Sequence, residues 1–144
     1  MPAKDIYHDT IKNALIKDGW TITDDPLRLV YGKQDVFVDL GAEKLLAAEK
    51  GGRKIAVEIK SFRGRSEVED LEKALGQYIL YEDVLTENEP ERELFLAVIQ
   101  DTFEAVFTDS FGKLLLEKKR LKLLVVKLQN EEIVKWISWK TIGE

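Results

Sequence analysis

The sequence predicts an α/β fold: a mixed central sheet with helices on both faces. Three observations carry that reading. Leu94-Phe95-Leu96-Ala97-Val98-Ile99 is a continuous apolar run of strand length, the pattern of a strand buried on both sides. Lys54-Ile55-Ala56-Val57-Glu58-Ile59-Lys60 is a second strand in which apolar residues alternate with other types. Between the two lies a long amphipathic helix, as a crossover between parallel strands requires.

The elements follow in order. Tyr7, Ile11, Ala14 and Leu15 keep helical spacing, so a first helix is expected from about Ala3 to Lys17, stopped by Asp18-Gly19. Trp20-Thr21-Ile22-Thr23 alternates as a strand, and Asp24-Asp25-Pro26 makes a turn. Leu27 to Tyr31 is a strand closed by Gly32-Lys33, and Asp35-Val36-Phe37-Val38-Asp39-Leu40 is the next. After Gly41 a short helical piece is expected near Ala42–Lys50, ended by Gly51-Gly52. In the strand over 54–60, Ile55, Val57 and Ile59 share one face, and Ala56, Glu58 and Lys60 the other.

Ser66-Glu67-Val68-Glu69 reads as a capping box for the long helix. Val68, Leu71, Leu75, Tyr78 and Ile79 form its apolar stripe, and it should end near Thr86–Pro90. Past the 94–99 strand, helical segments are expected near Thr102–Phe107 and Phe111–Arg120. Two strands, Leu123–Leu128 and Ile133–Ile137, then close the chain as a hairpin around Gln129-Asn130. Neither repeats nor a low-complexity linker divide the sequence, so one domain over residues 1–144 is expected.

Composition narrows the chemistry. The chain has 144 residues, 44% hydrophobic and 34% charged, a globular balance. No apolar run approaches the ~20 residues needed to cross a bilayer, and the first residues lack the apolar core of a signal peptide. A cytoplasmic protein with no membrane association is the expectation. With no Cys and a single His, thiolate sites, Fe–S clusters and His-rich metal sites are excluded. A divalent ion would have oxygen ligands, which favours Mg²⁺ or Mn²⁺. The net charge of −5 argues against a general electrostatic coat on nucleic acid but leaves room for a local basic strip.

Metal-dependent phosphodiester hydrolysis needs two carboxylates to fix an ion and a cation near the nucleophile. Glu58 and Lys60 stand ~7 Å apart on one strand face. An ion held by Glu58 and the carbonyl of Ile59 would lie within reach of Lys60. Asp39 can join them if its strand neighbours the Glu58 strand. Asp35 competes for that place but lies ~13 Å from Asp39 along the strand, too far for both to hold one ion. Asp39 is preferred because it sits at a strand end beside Gly41 and a loop. By itself, Glu-x-Lys on a strand also fits solvated decoration.

Val38-Asp39-Leu40-Gly41-Ala42-Glu43-Lys44, followed by Lys54 to Phe62, closely resembles the XisH family, described as excision controlling factors for the fdxN element of cyanobacteria. Ala3-Lys4-Asp5 with His8, Lys17-Asp18-Gly19-Trp20 and Ala74-Leu75-Gly76-Gln77-Tyr78 extend the resemblance over roughly residues 2–138. It implies a restriction-endonuclease-like fold of the PD-(D/E)xK superfamily, a mixed central sheet flanked by helices. Asp39 would be the motif aspartate, and Glu58 with Lys60 the E-x-K pair, although Val38 stands where that motif has Pro. Gln77 and Tyr81 have the Gln-x-x-x-Tyr spacing of RecB-like nucleases, and one turn apart they share a helix face. His8, on the first helix, is a further accessory candidate.

Arg63 and Arg65 follow the Glu58 strand and are candidates for DNA phosphate contacts. Lys118-Lys119-Arg120 with Lys122 is a basic cluster that can instead complement a helix C-terminus. Trp136 and Trp139 read as packing or interface residues rather than base-stacking platforms.

Three functions stay open. The first is a Mg²⁺-dependent DNA endonuclease, which would favour a homodimer if both strands are cut. The second is a non-hydrolytic accessory that controls a site-specific recombinase through DNA or a protein partner. The resemblance implies XisI, the small protein often encoded beside XisH, as such a partner. The third is a structural subunit that keeps the nuclease fold without cutting.

Overall fold

The computed structural model describes residues 4–44 and 52–139. It is an α/β fold, with four helices, a six-stranded sheet and a two-stranded sheet among the described residues. The strands are β1 (Thr21–Asp24), β2 (Leu27–Tyr31), β3 (Gln34–Val38), β4 (Leu40–Lys44), β5 (Arg53–Ile59), β6 (Arg92–Ile99), β7 (Leu123–Lys127) and β8 (Glu132–Ile137). The helices are α1 (His8–Lys17), α2 (Glu67–Asn88), α3 (Gln100–Val106) and α4 (Ser110–Glu117).

The large sheet runs in the order β1-β4-β5-β6-β7-β8, while β2 and β3 pair as a separate hairpin. It is mixed. β5, β6 and β7 are parallel neighbours, with α2 as the crossover from β5 to β6 and α3–α4 as the crossover from β6 to β7. The remaining pairs are antiparallel, including the expected terminal hairpin of β7 and β8. A 3-10 turn at Gln129–Glu131, with Asn130 at φ 64°, joins that hairpin.

Two cores line the faces of the sheet. Ile55, Val57 and Ile59 of β5 pack with Phe95, Ala97 and the α1 residues Ile11, Ala14 and Leu15. On the other face, Ala56 packs with Leu94, Leu96 and Val98 against Leu71, Ala74 and Tyr78 of α2, joined by Leu27, Leu29 and Val38 of the hairpin. The central strands are thus covered on both sides, as the apolar run at 94–99 predicts.

Several expectations need correction. The first helix begins at His8 rather than Ala3, because residues just before it form a turn: the Asp5 carbonyl accepts the His8 amide and the Asp5 side chain accepts the Tyr7 amide. Residues 1–3 lie outside the described part. The strand expected over Asp35–Leu40 breaks at Asp39, with β3 in the small sheet and β4 in the large one. The helical piece expected near Ala42–Lys50 begins as strand instead. Pairing with β5 buries Leu40 and Ala42 completely, and that packing outweighs the helical preference of Ala-Glu-Lys. The rest of that piece, residues 45–50, falls outside the described residues.

The apolar stripe of α2 is also displaced. Leu71, Ala74, Tyr78 and Leu85 face the core, whereas Val68 and Ile79 remain exposed at 45% and 49%. Ser66 caps this helix as expected, its hydroxyl accepting the Glu69 amide at 3.2 Å. Among the described residues no helix is long and apolar enough to cross a membrane.

Candidate active site

Pairing of β4 with β5 sets Leu40 opposite Val57, which brings the preceding residue, Asp39, beside Glu58 at the carboxyl end of β5. Crossed hydrogen bonds lock the pair. The Asp39 amide donates to Glu58 Oε1 at 3.2 Å, and the Ile59 amide donates to Asp39 Oδ2 at 2.7 Å. The chain break at Asp39 makes this geometry available. A residue inside a regular strand would commit its amide to the ladder, but Asp39 stands between two sheets and has its amide free for a carboxylate.

The electrostatics follow from closeness and burial. Burial and the charge of Asp39 push Glu58 up to about 9, with Lys60 pulling weakly the other way. Burial also raises Asp39, although hydrogen bonds from the Ile59 amide and from Glu58 oppose the rise. At neutral pH Glu58 therefore holds a proton, which it shares with the Asp39 carboxylate. Two half-buried carboxyls that together keep one proton are also a receptive place for a cation, which would neutralise them in the proton's stead.

The donor set fits a hard divalent ion: Asp39, Glu58 and the carbonyl of Ile59 offer oxygen ligands of the kind Mg²⁺ and Mn²⁺ take. Among the described residues no group of three or more His, Cys, Asp or Glu side chains gathers in one place, so protein oxygens would fill only part of the coordination sphere.

The other candidates divide. Lys60 continues the β5–β6 ladder one step past the strand, its amide donating to the Ala97 carbonyl at 3.1 Å, and its half-buried side chain acts electrostatically on Glu58. Tyr81, half-buried on α2, is raised by burial and by the charges of Glu58 and Asp39, which marks it as a neighbour of the pair. Gln77 is exposed one turn away, and among the described residues nothing hydrogen-bonds its side chain. Asp35 is elsewhere, on β3, ion-paired with Arg28 at 3.0 Å.

His8 differs from an exposed or capping histidine. It is buried, its Nε2 lies 2.7 Å from Asp25 Oδ1, and its Nδ1 has no partner. It lies close enough to act electrostatically on Asp39. Burial works to raise the Asp25 carboxyl, but hydrogen bonds from Lys12 and His8 outweigh it and hold Asp25 below its usual range.

Arg63 and Arg65 are exposed on the loop that leaves β5. That loop is pinned on either side of Arg63. Phe62, at φ 56°, meets Phe107 edge-on at 5.8 Å, and the Gly64 amide donates to the buried Asp70 carboxylate at 2.7 Å. Sequence reasoning missed Asp25 and Asp70. Asp25 was visible only as part of a turn, and Asp70 only as one more acid in a helix's first turn.

Comparison with known proteins adds the relatives. The family model described as XisH protein matches residues 1–134. A search of curated proteins finds no match. Among solved structures, an XisH family protein from Nostoc punctiforme PCC 73102 is 38% identical, with a TM-score of 0.83 over 93% of this chain and 100% of that one. A fdxN element excision controlling factor protein from Anabaena variabilis is 39% identical, with a TM-score of 0.81 over 94% of this chain and 100% of that one.

Proposed function

The chain belongs to the XisH family, and from that premise we propose that it is a Mg²⁺-dependent DNA endonuclease of restriction-endonuclease-like, PD-(D/E)xK type that acts in the excision of a DNA element. The carrying observation is the crossed Asp39–Glu58 pair, two half-buried carboxyls held together at a strand end with Lys60 two residues on. A bound divalent cation would supply Lewis acidity for the scissile phosphate. Asp39 and Glu58 hold it, and their amide hydrogen bonds fix the carboxylates before substrate arrives. Lys60 donates to the attacking water or to a phosphate oxygen and stabilises negative charge as it develops. Tyr81 orients groups at the edge of the site, and Arg63 and Arg65 hold the DNA backbone.

The test is cleavage of supercoiled, linear and single-stranded DNA by purified protein with Mg²⁺, with Mn²⁺ and with EDTA. Cutting is expected with either metal and not with EDTA, and Lys60→Ala or Glu58→Gln should slow it by at least about a hundredfold. Absence of cutting on every DNA form, or cutting undiminished in Lys60→Ala, would overturn the reading.

A second reading rests on the net charge of −5 and on a site where, among the described residues, no third acidic or His side chain gathers with the two carboxylates, features that suit a non-hydrolytic factor controlling a recombinase. Under it, Glu58→Gln leaves excision intact in cells.

A further inference from the structure

α2 carries more apolar surface than the sheet covers. Val68, Glu72, Leu75 and Ile79 recur at helical spacing along one flank, beside the residues that face the core. Opposite this flank, α4 exposes Phe111 at 57% and Leu114 at 47%. Between the helices runs a groove of about 320 Å³ lined by Val68, Leu71, Leu75, Phe111, Leu114 and Leu115. It adjoins a hollow of about 170 Å³ at the start of both helices.

The rim has one sign. Glu72 borders the groove and Glu67 and Asp109 border the hollow, with no Lys or Arg in either lining. Among the described residues none of these three carboxylates has an ion-pair partner. An apolar floor whose lining carries three acids and no Lys or Arg is complementary to apolar side chains flanked by positive charge. The stretch from Val68 to Ile79 is roughly 16 Å long, three helical turns. A second copy placed symmetrically would set these acids against their own kind. The three acids offer nothing to nucleic acid or to an anionic bilayer.

We propose that the α2–α4 groove docks an amphipathic helix of a partner protein whose apolar stripe is flanked by Lys or Arg. Tyr81 lies on the other flank of α2, so an occupant of the groove leaves the Asp39–Glu58 site open. The inference therefore does not depend on whether that site cuts DNA.

The probe is a labelled helical peptide with Leu at i, i+4, i+7 and i+11 and Lys or Arg on either side, compared with one in which Glu replaces those cations. Fluorescence anisotropy with the full chain should show saturable binding of the basic peptide and at least about tenfold weaker binding of the acidic one. Glu67→Lys with Glu72→Lys should reverse that order. Phe111→Ser with Leu114→Ser should abolish binding while far-ultraviolet circular dichroism stays unchanged, since both side chains are exposed.

Equal binding of the two peptides, no saturation up to about a millimolar, or undiminished binding in the serine variant overturns the proposal. So do two other outcomes. One is a dimer in sedimentation that Phe111→Ser dissolves, which assigns the groove to a second copy. The other is capture by phosphatidylcholine–phosphatidylglycerol vesicles in preference to the peptide, which assigns it to a membrane.

Discussion

Glu58 holds its proton because its neighbours leave it little choice. The strand end is shielded from water, Asp39 is beside it, and Lys60 offsets only part of the repulsion. This has a sign in the stability of the metal-free protein. An unfolded glutamate loses its proton near 4.5, whereas folded Glu58 keeps it to about 9. Between those values the folded state binds more protons than the unfolded, so stability falls as pH rises. The contribution is fully present below about 4.5 and is lost as pH passes through about 9. Urea unfolding in EDTA should therefore give a lower midpoint at alkaline than at mildly acidic pH, and Glu58→Gln should flatten that slope. A slope unchanged by the substitution would mean that Glu58 ionises normally in the fold.

At the level of elements, the loop after β5 works as a mount. Phe62 anchors it to Phe107 and Asp70 anchors it at Gly64, so Arg63 and Arg65 are exposed from a fixed backbone and not from a free loop. If both contact phosphates, Arg63→Ala with Arg65→Ala weakens DNA binding on all sequences alike. It should also lower the slope of log affinity against log salt by about 2. An unchanged slope would remove both residues from the interface.

The α3–α4 elbow depends on Gly112 in another way. A Cβ there would stand 1.9 Å from the Val106 carbonyl oxygen, a distance only backbone movement can relieve. Gly112→Ala should cost about 2 kcal/mol or more in denaturant unfolding, by prying apart the two helices. Element types were largely legible in the sequence, because period and capping are local properties. The 42–44 stretch was not, because its own composition favours helix and only pairing with β5 makes it strand.

Across the molecule, the end of the sheet opposite the candidate site is tied by buried charge. Glu93 of β6 takes Arg53 of β5 at 3.3 Å and Lys122, just before β7, at 3.2 Å, and accepts the Ser138 hydroxyl at 3.0 Å. Trp20, Phe95 and Trp136 surround the Arg53 guanidinium, and Lys122 lies over Trp139. Trp136 packs against the core, whereas Trp139 stays 37% exposed. Lys122, expected only as part of a basic surface cluster, is 3% exposed. Glu93→Gln strands that ammonium without a counterion and should destabilise the fold by about 3 kcal/mol. Glu93→Gln combined with Lys122→Met should recover the part of the loss due to Lys122, with Arg53 still lacking its carboxylate. Failure of the double variant to recover would assign the cost to lost packing.

What the sequence determined alone was what depends on near neighbours. The α/β class, the doubly buried strand at 94–99, the capped helix after Ser66 and the pairing of Glu58 with Lys60 on one strand all follow from spacing within a few residues. The tertiary structure decided which distant residues meet. It broke the strand at Asp39, laid β4 against β5, and so crossed Asp39 and Glu58 through each other's backbone. It also buried His8 on Asp25, parted Asp35 from the site and left Val68 and Ile79 of the α2 stripe uncovered. Register between strands and the docking of helices are properties of the whole packed chain, because each is fixed by surfaces that come together only when the sheet closes.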